Sequence, residues 1–319
     1  MIGVLHVLLS VSLGFLAATP GAATNAAPLA IIAAVKGHVE VVPARGGPAT
    51  AAAFGKPLVR GDRVSVAAGG SATVFFNNGN LIELGEKSAL TVGVRATAVT
   101  RLAEPPLSGD VVASVNRFVA GGSRETGLVG LTPLRGGRST GPLLIEPRRT
   151  NLLANGTRFT WHAVEGATRY RITVSGEQGE LWHRELTDTL IDYPHGVPEL
   201  TAGADIAWEV VAFSDHDELR REASVVHVLS PGDAEAARRS ERRLLMIAGG
   251  PDRAAARYLV GSYLYGQGLY VDSIREFEAL MRLAPDSPSP HEALGNVYRA
   301  MGLNDRAADE YRQALALTH

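Results

Sequence analysis

The sequence predicts a multi-domain protein, with two successive all-β regions followed by an all-α region, and three observations carry that reading. Near the C-terminus residues recur at a spacing of 34, pairing Gly261 with Gly295, Leu264 with Tyr298, Gly268 with Gly302 and Phe277 with Tyr311. A fixed period of that length marks stacked helical hairpins. Between Ala30 and Ala98, and again from Leu143 to Ser230, short alternating runs of β-branched and aromatic residues are separated by turn residues. That is the pattern of half-buried strands. With 319 residues, 45% of them hydrophobic and 20% charged, the chain is long and apolar enough for several packed cores.

Residues 1–27 read as an export signal. Ile2 to Ala18 are apolar and uncharged, and small residues follow at Gly21, Ala22, Ala23, Ala26 and Ala27, which places the expected cleavage near residues 23 to 27. Only His6 stands where Lys or Arg normally precedes the apolar core, so an uncleaved anchor is the alternative. The chain has no cysteine, which excludes a thiol nucleophile, a thiolate zinc site and a lipid-modified cysteine after the signal. A net charge of −2 without a long single-sign run supplies no field for nucleic acid.

Residues 28–98 form the first β region. Strand patterns occur at Gly37 to Val42, Arg63 to Val66, Ala72 to Phe76 and Leu81 to Leu84, and Asn77-Asn78-Gly79-Asn80 is a tight-hairpin signal because Asn and Gly tolerate positive φ. The order Gly37-x-Val39-x-Val41, Leu58-x-x-Gly61-Asp62-x-Val64, Ser71-Ala72, Phe75-Phe76, Gly79 and Leu84-Gly85-x-x-Ser88 resembles the FecR domain family. The resemblance implies a periplasmic β module. Sigma-factor regulation, which some members perform through a membrane helix, does not carry over, because the only apolar run lies at the very N-terminus.

Residues 99–142 read as a linker with a short helix. Val111, Val112, Val115, Phe118 and Val119 share one helical face, expected to dock on a neighbouring part of the protein, with a membrane surface as the alternative. Residues 143–230 read as a β-sandwich, in which Phe159-x-Trp161, Val164-x-Gly166-Ala167-x-x-Tyr170, Leu200 and Ile206-x-Trp208-x-Val210 resemble a fibronectin type III domain of the bacterial kind. Alternation assigns Trp161, Tyr170 and Trp208 to the core rather than to a binding platform.

Residues 233–319 read as helical. A lead-in helix at Asp233 to Ile247 precedes two hairpins, Asp252 to Gly266 with Val271 to Leu283 and Pro288 to Met301 with Asn304 to Leu317. Leu294, Gly295, Tyr298, Gly302, Ala307, Tyr311 and Ala314 resemble the tetratricopeptide repeat, while Ser273 and Leu280 depart from it in the first copy. So short an array must have its ends covered by the lead-in helix, the sandwich or a second chain. The resemblance implies a partner-binding groove on the first helix of each hairpin, at Tyr258, Ser262, Tyr265, Glu292, Asn296 and Arg299. Glu292 stands where the carboxylate-clamping subtype needs a lysine, so a free C-terminus is not the expected ligand.

No catalytic motif emerges. Asp215-His216-Asp217 reads as a polar turn, His183 and Glu185 alternate onto one solvated strand face, and GxSxG, Walker and GxGxxG patterns are missing. Asn155-Gly156-Thr157 fits a glycosylation sequon but reads as a turn before a strand. The expectation is a non-enzymatic periplasmic adaptor or scaffold that binds protein partners and needs neither cofactor nor metal. The alternative is an envelope sensor or a module that binds cell-wall glycan such as peptidoglycan. Nucleic acid is excluded as a partner, and membrane contact is expected only through an uncleaved signal.

Overall fold

The computed structural model describes residues 28–93, 107–123, 143–153 and 157–318. The expected export signal, Asn155 of the sequon and most of residues 99–142 lie outside them.

Eight short strands build the first β unit: β1 (Ala30–Lys36), β2 (Val39–Val42), β3 (Thr50–Ala51), β4 (Pro57–Leu58), β5 (Arg63–Val66), β6 (Ser71–Phe76), β7 (Leu81–Leu84) and β8 (Ala89–Thr91). They form two antiparallel sheets, ordered β4-β1-β6-β7 and β3-β2-β5-β8, with Ile32, Leu58, Val64, Val74 and Leu90 between them. The Asn77–Asn80 turn joins β6 to β7 with Gly79 at φ +83°. At the Gly61-Asp62 corner the Asp62 carboxylate accepts the backbone N–H groups of Ala44 and Val59, both at 2.9 Å. Those two bonds are what let a buried acid close the corner.

Strand β1 is covered on both faces. Because side chains alternate across a strand, Ala30 and Ile32 point into the sandwich, while Ile31 and Ala33 point the other way, beside Phe75 and Leu81. Helix α1 (Gly109–Ser123) belongs to the same apolar cluster as those outward side chains. Its Val111, Val112, Val115, Phe118 and Val119 are all buried, so the docking expected from the sequence is on the protein itself. A polar bond fixes its register: Ser114 Oγ accepts from Gln267 Nε2 at 2.7 Å.

The second β unit comprises β9 (Leu144–Glu146), β10 (Asn151–Leu152), β11 (Arg158–Trp161), β12 (Arg169–Gly176), β13 (Gly179–Leu186), β14 (Leu190–Asp192), β15 (Asp205–Phe213) and β16 (Glu218–Val228). Sheets ordered β10-β16-β15-β12-β13 and β14-β11-β9 enclose Phe159, Trp161, Tyr170 and Trp208. These aromatics are core, as their alternation predicts. Two polar tips find backbone partners: Trp208 Nε1 donates to Pro147 O at 2.8 Å, and Tyr170 Oη accepts from Val164 N at 3.0 Å.

Five helices follow: α2 (Pro231–Ile247), α3 (Ala254–Gly266), α4 (Tyr270–Leu283), α5 (Ser289–Ala300) and α6 (Asn304–Ala316). Ser230 caps α2 by accepting from Asp233 N at 3.2 Å. The 34-residue spacing is visible in the way α3 and α5 end, with Gly268 at φ +73° and Gly302 at φ +77°. In each case the following leucine donates back into the helix, Leu269 N to Leu264 O at 2.9 Å and Leu303 N to Tyr298 O at 2.8 Å. Only glycine reaches that left-handed geometry without strain.

Residues 148–151 strap the second β unit to both of these turns. Asn151 donates its N–H to Gly268 O at 2.8 Å and its amide to Gln267 O at 2.8 Å. Thr150 Oγ1 accepts from Tyr270 N at 2.9 Å and donates to Gly268 O at 3.0 Å. Arg148, ion-paired to Glu222, donates from Nε to Met301 O at 3.1 Å. The first hairpin is therefore covered by α1 and α2 and both turns are tied by this strap, while the last helix, α6, buries only Ala307 and Ala314 and leaves Leu315 exposed.

Two outcomes follow from this packing. Replacing Phe118 by Ala removes a buried ring from the shared core and lowers unfolding free energy by about 3–5 kcal/mol, whereas Ala113→Ser on the exposed side of α1 changes it by under about 0.5 kcal/mol; urea titrations measure both. At the junction of β9 and α4, burial raises the Glu146 carboxyl above its ordinary range, outweighing the lowering by Arg306, Arg275 and Arg158, and Glu278 adds to the rise. A carboxylate with a raised folded-state pKa opposes folding at neutral pH, and the penalty fades as pH falls through that pKa towards the unfolded value. Glu146→Gln therefore raises Tm at pH 7.5, and the gain vanishes near pH 4, as thermal melts across that range report.

Candidate partner-binding face of the helical hairpins

The six residues singled out from the sequence fall on α3 and α5, both of which α1 contacts. Their situations differ sharply. Tyr258 is buried, with Phe54 at 5.9 Å and Phe118 at 6.1 Å between ring centroids. Burial drives its hydroxyl pKa well above the usual tyrosine range, a hydrogen bond from Ser262 opposes the shift, and Glu292 adds to it. Ser262 is fully enclosed and donates to Tyr258 O at 2.7 Å. Tyr265 is half-buried, edge-on to Phe118 at 5.0 Å. On α3, then, α1 already occupies the face.

The α5 part of the face is more open. Asn296 Oδ1 accepts from the Tyr311 hydroxyl at 2.9 Å, and Arg299 lies close enough to Tyr311 to lower its pKa against the rise that burial imposes. Glu292 is exposed by its accessible surface, although crowding by the surrounding wall raises its carboxyl pKa. Together Glu292, Asn296 and Arg299 offer an acceptor, an amide and a guanidinium beside a tyrosine ring.

Two residues outside the predicted set shape this face, Phe118 and Tyr311. Tyr311 is legible in the repeat, because it aligns with Phe277 across the 34-residue spacing. Phe118 is legible as part of an apolar helical face, but nothing in the sequence says which surface that face meets. Glycine makes the close approach possible: a Cβ on Gly261 would fall 2.7 Å from the Phe277 ring, and one on Gly295 would run into the Tyr311 ring.

His183, His216 and His227 of the second β unit stay at its periphery. His183 pairs with Glu180 at 2.6 Å and His227 with Asp205 at 2.8 Å, all exposed, and His216 sits in the turn that Ser214 closes with Asp217. Glu185 engages Arg171, which holds its carboxyl below the usual range. Among the described residues no three His, Asp or Glu side chains gather as metal ligands, and no helix is long and apolar enough to cross a membrane.

No family model matches the chain, and no curated protein matches it. The solution structure of the fn3 domain of human collagen alpha-1(XX) chain overlaps 30% of this chain and 96% of its own length, at 17% identity and a TM-score of 0.23. At that score the overlap adds nothing to the architecture read from the strands themselves.

Glycine to alanine inside a helix ordinarily stabilises by about 1 kcal/mol. At Gly261 and Gly295 the overpacking against a ring dominates, so each alanine variant is expected to lose about 1–3 kcal/mol, measured by chemical denaturation.

Proposed function

We propose that the chain is a non-enzymatic scaffold of the cell envelope, in which a FecR-like β module and a fibronectin type III-like sandwich carry a tetratricopeptide-like pair of hairpins that recruits a protein partner. One observation carries the reading: the face of α3 already accepts a helix of the same chain, with Phe118 seated among Tyr258, Tyr265 and Phe277. Helix-in-groove recognition uses the same chemistry. The partner side of the face is then its α5 half, where Glu292, Asn296 and Arg299 remain beside Tyr311. The apolar stretch from Ile2 to Ala18 supports export to the periplasm.

The shared core alters the choice of experiment. A truncation before Asp233 would strip α1 and β1 of their cover, and substitution of buried Tyr258 would disturb folding. Affinity capture from an envelope extract is therefore compared between the full chain and a Glu292→Ala, Asn296→Ala, Arg299→Ala variant. Loss of captured proteins with an unchanged melting curve supports the groove, and unchanged recovery removes it. Sedimentation of both forms with purified peptidoglycan would instead favour a glycan-binding sensor.

A further inference from the structure

A cleft of about 290 Å³ opens where the smaller sheet of the second β unit meets α4. Ligand sites gather at such junctions between packed units. Its charged groups fall into two classes. Arg158 is held by Asp192 through bonds of 2.7 and 3.1 Å, and Arg275 by Asp272 at 2.9 Å. Glu146 and Glu278 line the cleft from β9 and from α4, and among the described residues their carboxylates accept no hydrogen bond and join no ion pair.

Arg306 acts on Glu146 only from a distance, because its guanidinium lies over the Tyr298 ring at 5.7 Å. At Glu146 burial outweighs the three guanidiniums, and the nearby Glu278 carboxylate adds to the rise rather than relieving it. A cation placed between them would satisfy both. Two carboxylates are too few for a hard divalent ion, which takes six or more oxygens. An ammonium group suits them better, since it brings three N–H donors to two acceptors. Beside the acids, Val271 and Ile274 give the cleft an apolar wall, against which a short alkyl chain loses its contact with water.

We propose that this cleft binds a small alkylammonium compound, with its charged nitrogen between Glu146 and Glu278 and its alkyl body against Val271 and Ile274. The site is separate from the α5 face, so either reading can fail alone.

Titration calorimetry of the full chain with 1,5-diaminopentane tests it, beside 1-pentanol and potassium chloride at matched ionic strength. Saturable heat is expected for the diamine alone, weakened about tenfold or more by Glu146→Gln and by Glu278→Gln, and unchanged by Glu40→Gln on remote β2. Since Glu146→Gln is expected to be more stable than the parent at neutral pH, its loss of binding cannot be ascribed to unfolding, and melting curves for every variant accompany the titrations. Absence of saturable heat, equal heat from potassium chloride, or undiminished binding in both Gln variants overturns the assignment.

Discussion

The rest of the structure depends on the packing of α1 against α3, the helix that covers β1. A helix of this length has little stability in water by itself, because the nucleating turn is unfavourable and the few propagated bonds barely repay it. Its apolar face supplies what the backbone does not. Burying a Val or Phe side chain is worth about 1.5–3 kcal/mol, so the five buried on α1 contribute on the order of 10 kcal/mol before entropy is counted. That is comparable to the net stability of a whole domain. An outside partner would need a differential affinity of the same size to lift α1 away. The helix is a fixed part of the fold, and its place on α3 is not a vacancy waiting for a ligand.

This clamp also explains how two hairpins stand without further repeats. In a solenoid each unit covers its neighbour, and the terminal faces need separate cover. Here α2 buries Ala234, Ala237 and Leu244 on one side, α1 fills the inner face of α3, and residues 148–151 bind the turns. Much of the cover comes from chain that is distant in sequence. The outward side chains of β1, Ile31 and Ala33, belong to the same apolar cluster as Phe277 and Leu294.

The elements themselves were largely legible in the sequence. The repeat spacing placed the four hairpin helices behind a separately read lead-in helix, alternation placed β2, β5, β6 and β7 of the first unit but not β1, and the Trp and Tyr positions of the sandwich read correctly as core. What could not be read is how the parts meet. Ile31 and Ile32 are equally apolar, and only tertiary contact shows that one faces the sandwich and the other the helices. The face of α1 announced that it would be buried without naming its target. For the same reason the tyrosines on α3 looked like groove residues: polar hydroxyls at the expected positions do not disclose that Phe54 and Phe118 lie over them. On α5 Glu292 is exposed, while Asn296 and Arg299 are half-buried beside Tyr311.

The strap has a mechanical consequence. Stacked hairpins behave as a spring whose pitch varies as neighbouring units tilt, and that elasticity normally lets such arrays adapt to what they hold. Here Thr150 and Asn151 grip the turn at Gly268 while Arg148, two and three residues before them, grips Met301 beside the corresponding turn at Gly302. A segment so short acts as a tie bar across one edge of the spring. It sets the distance between the two coils on that edge and leaves bending to the opposite one, so any adjustment of the helices takes the form of a wedge opening about a fixed line.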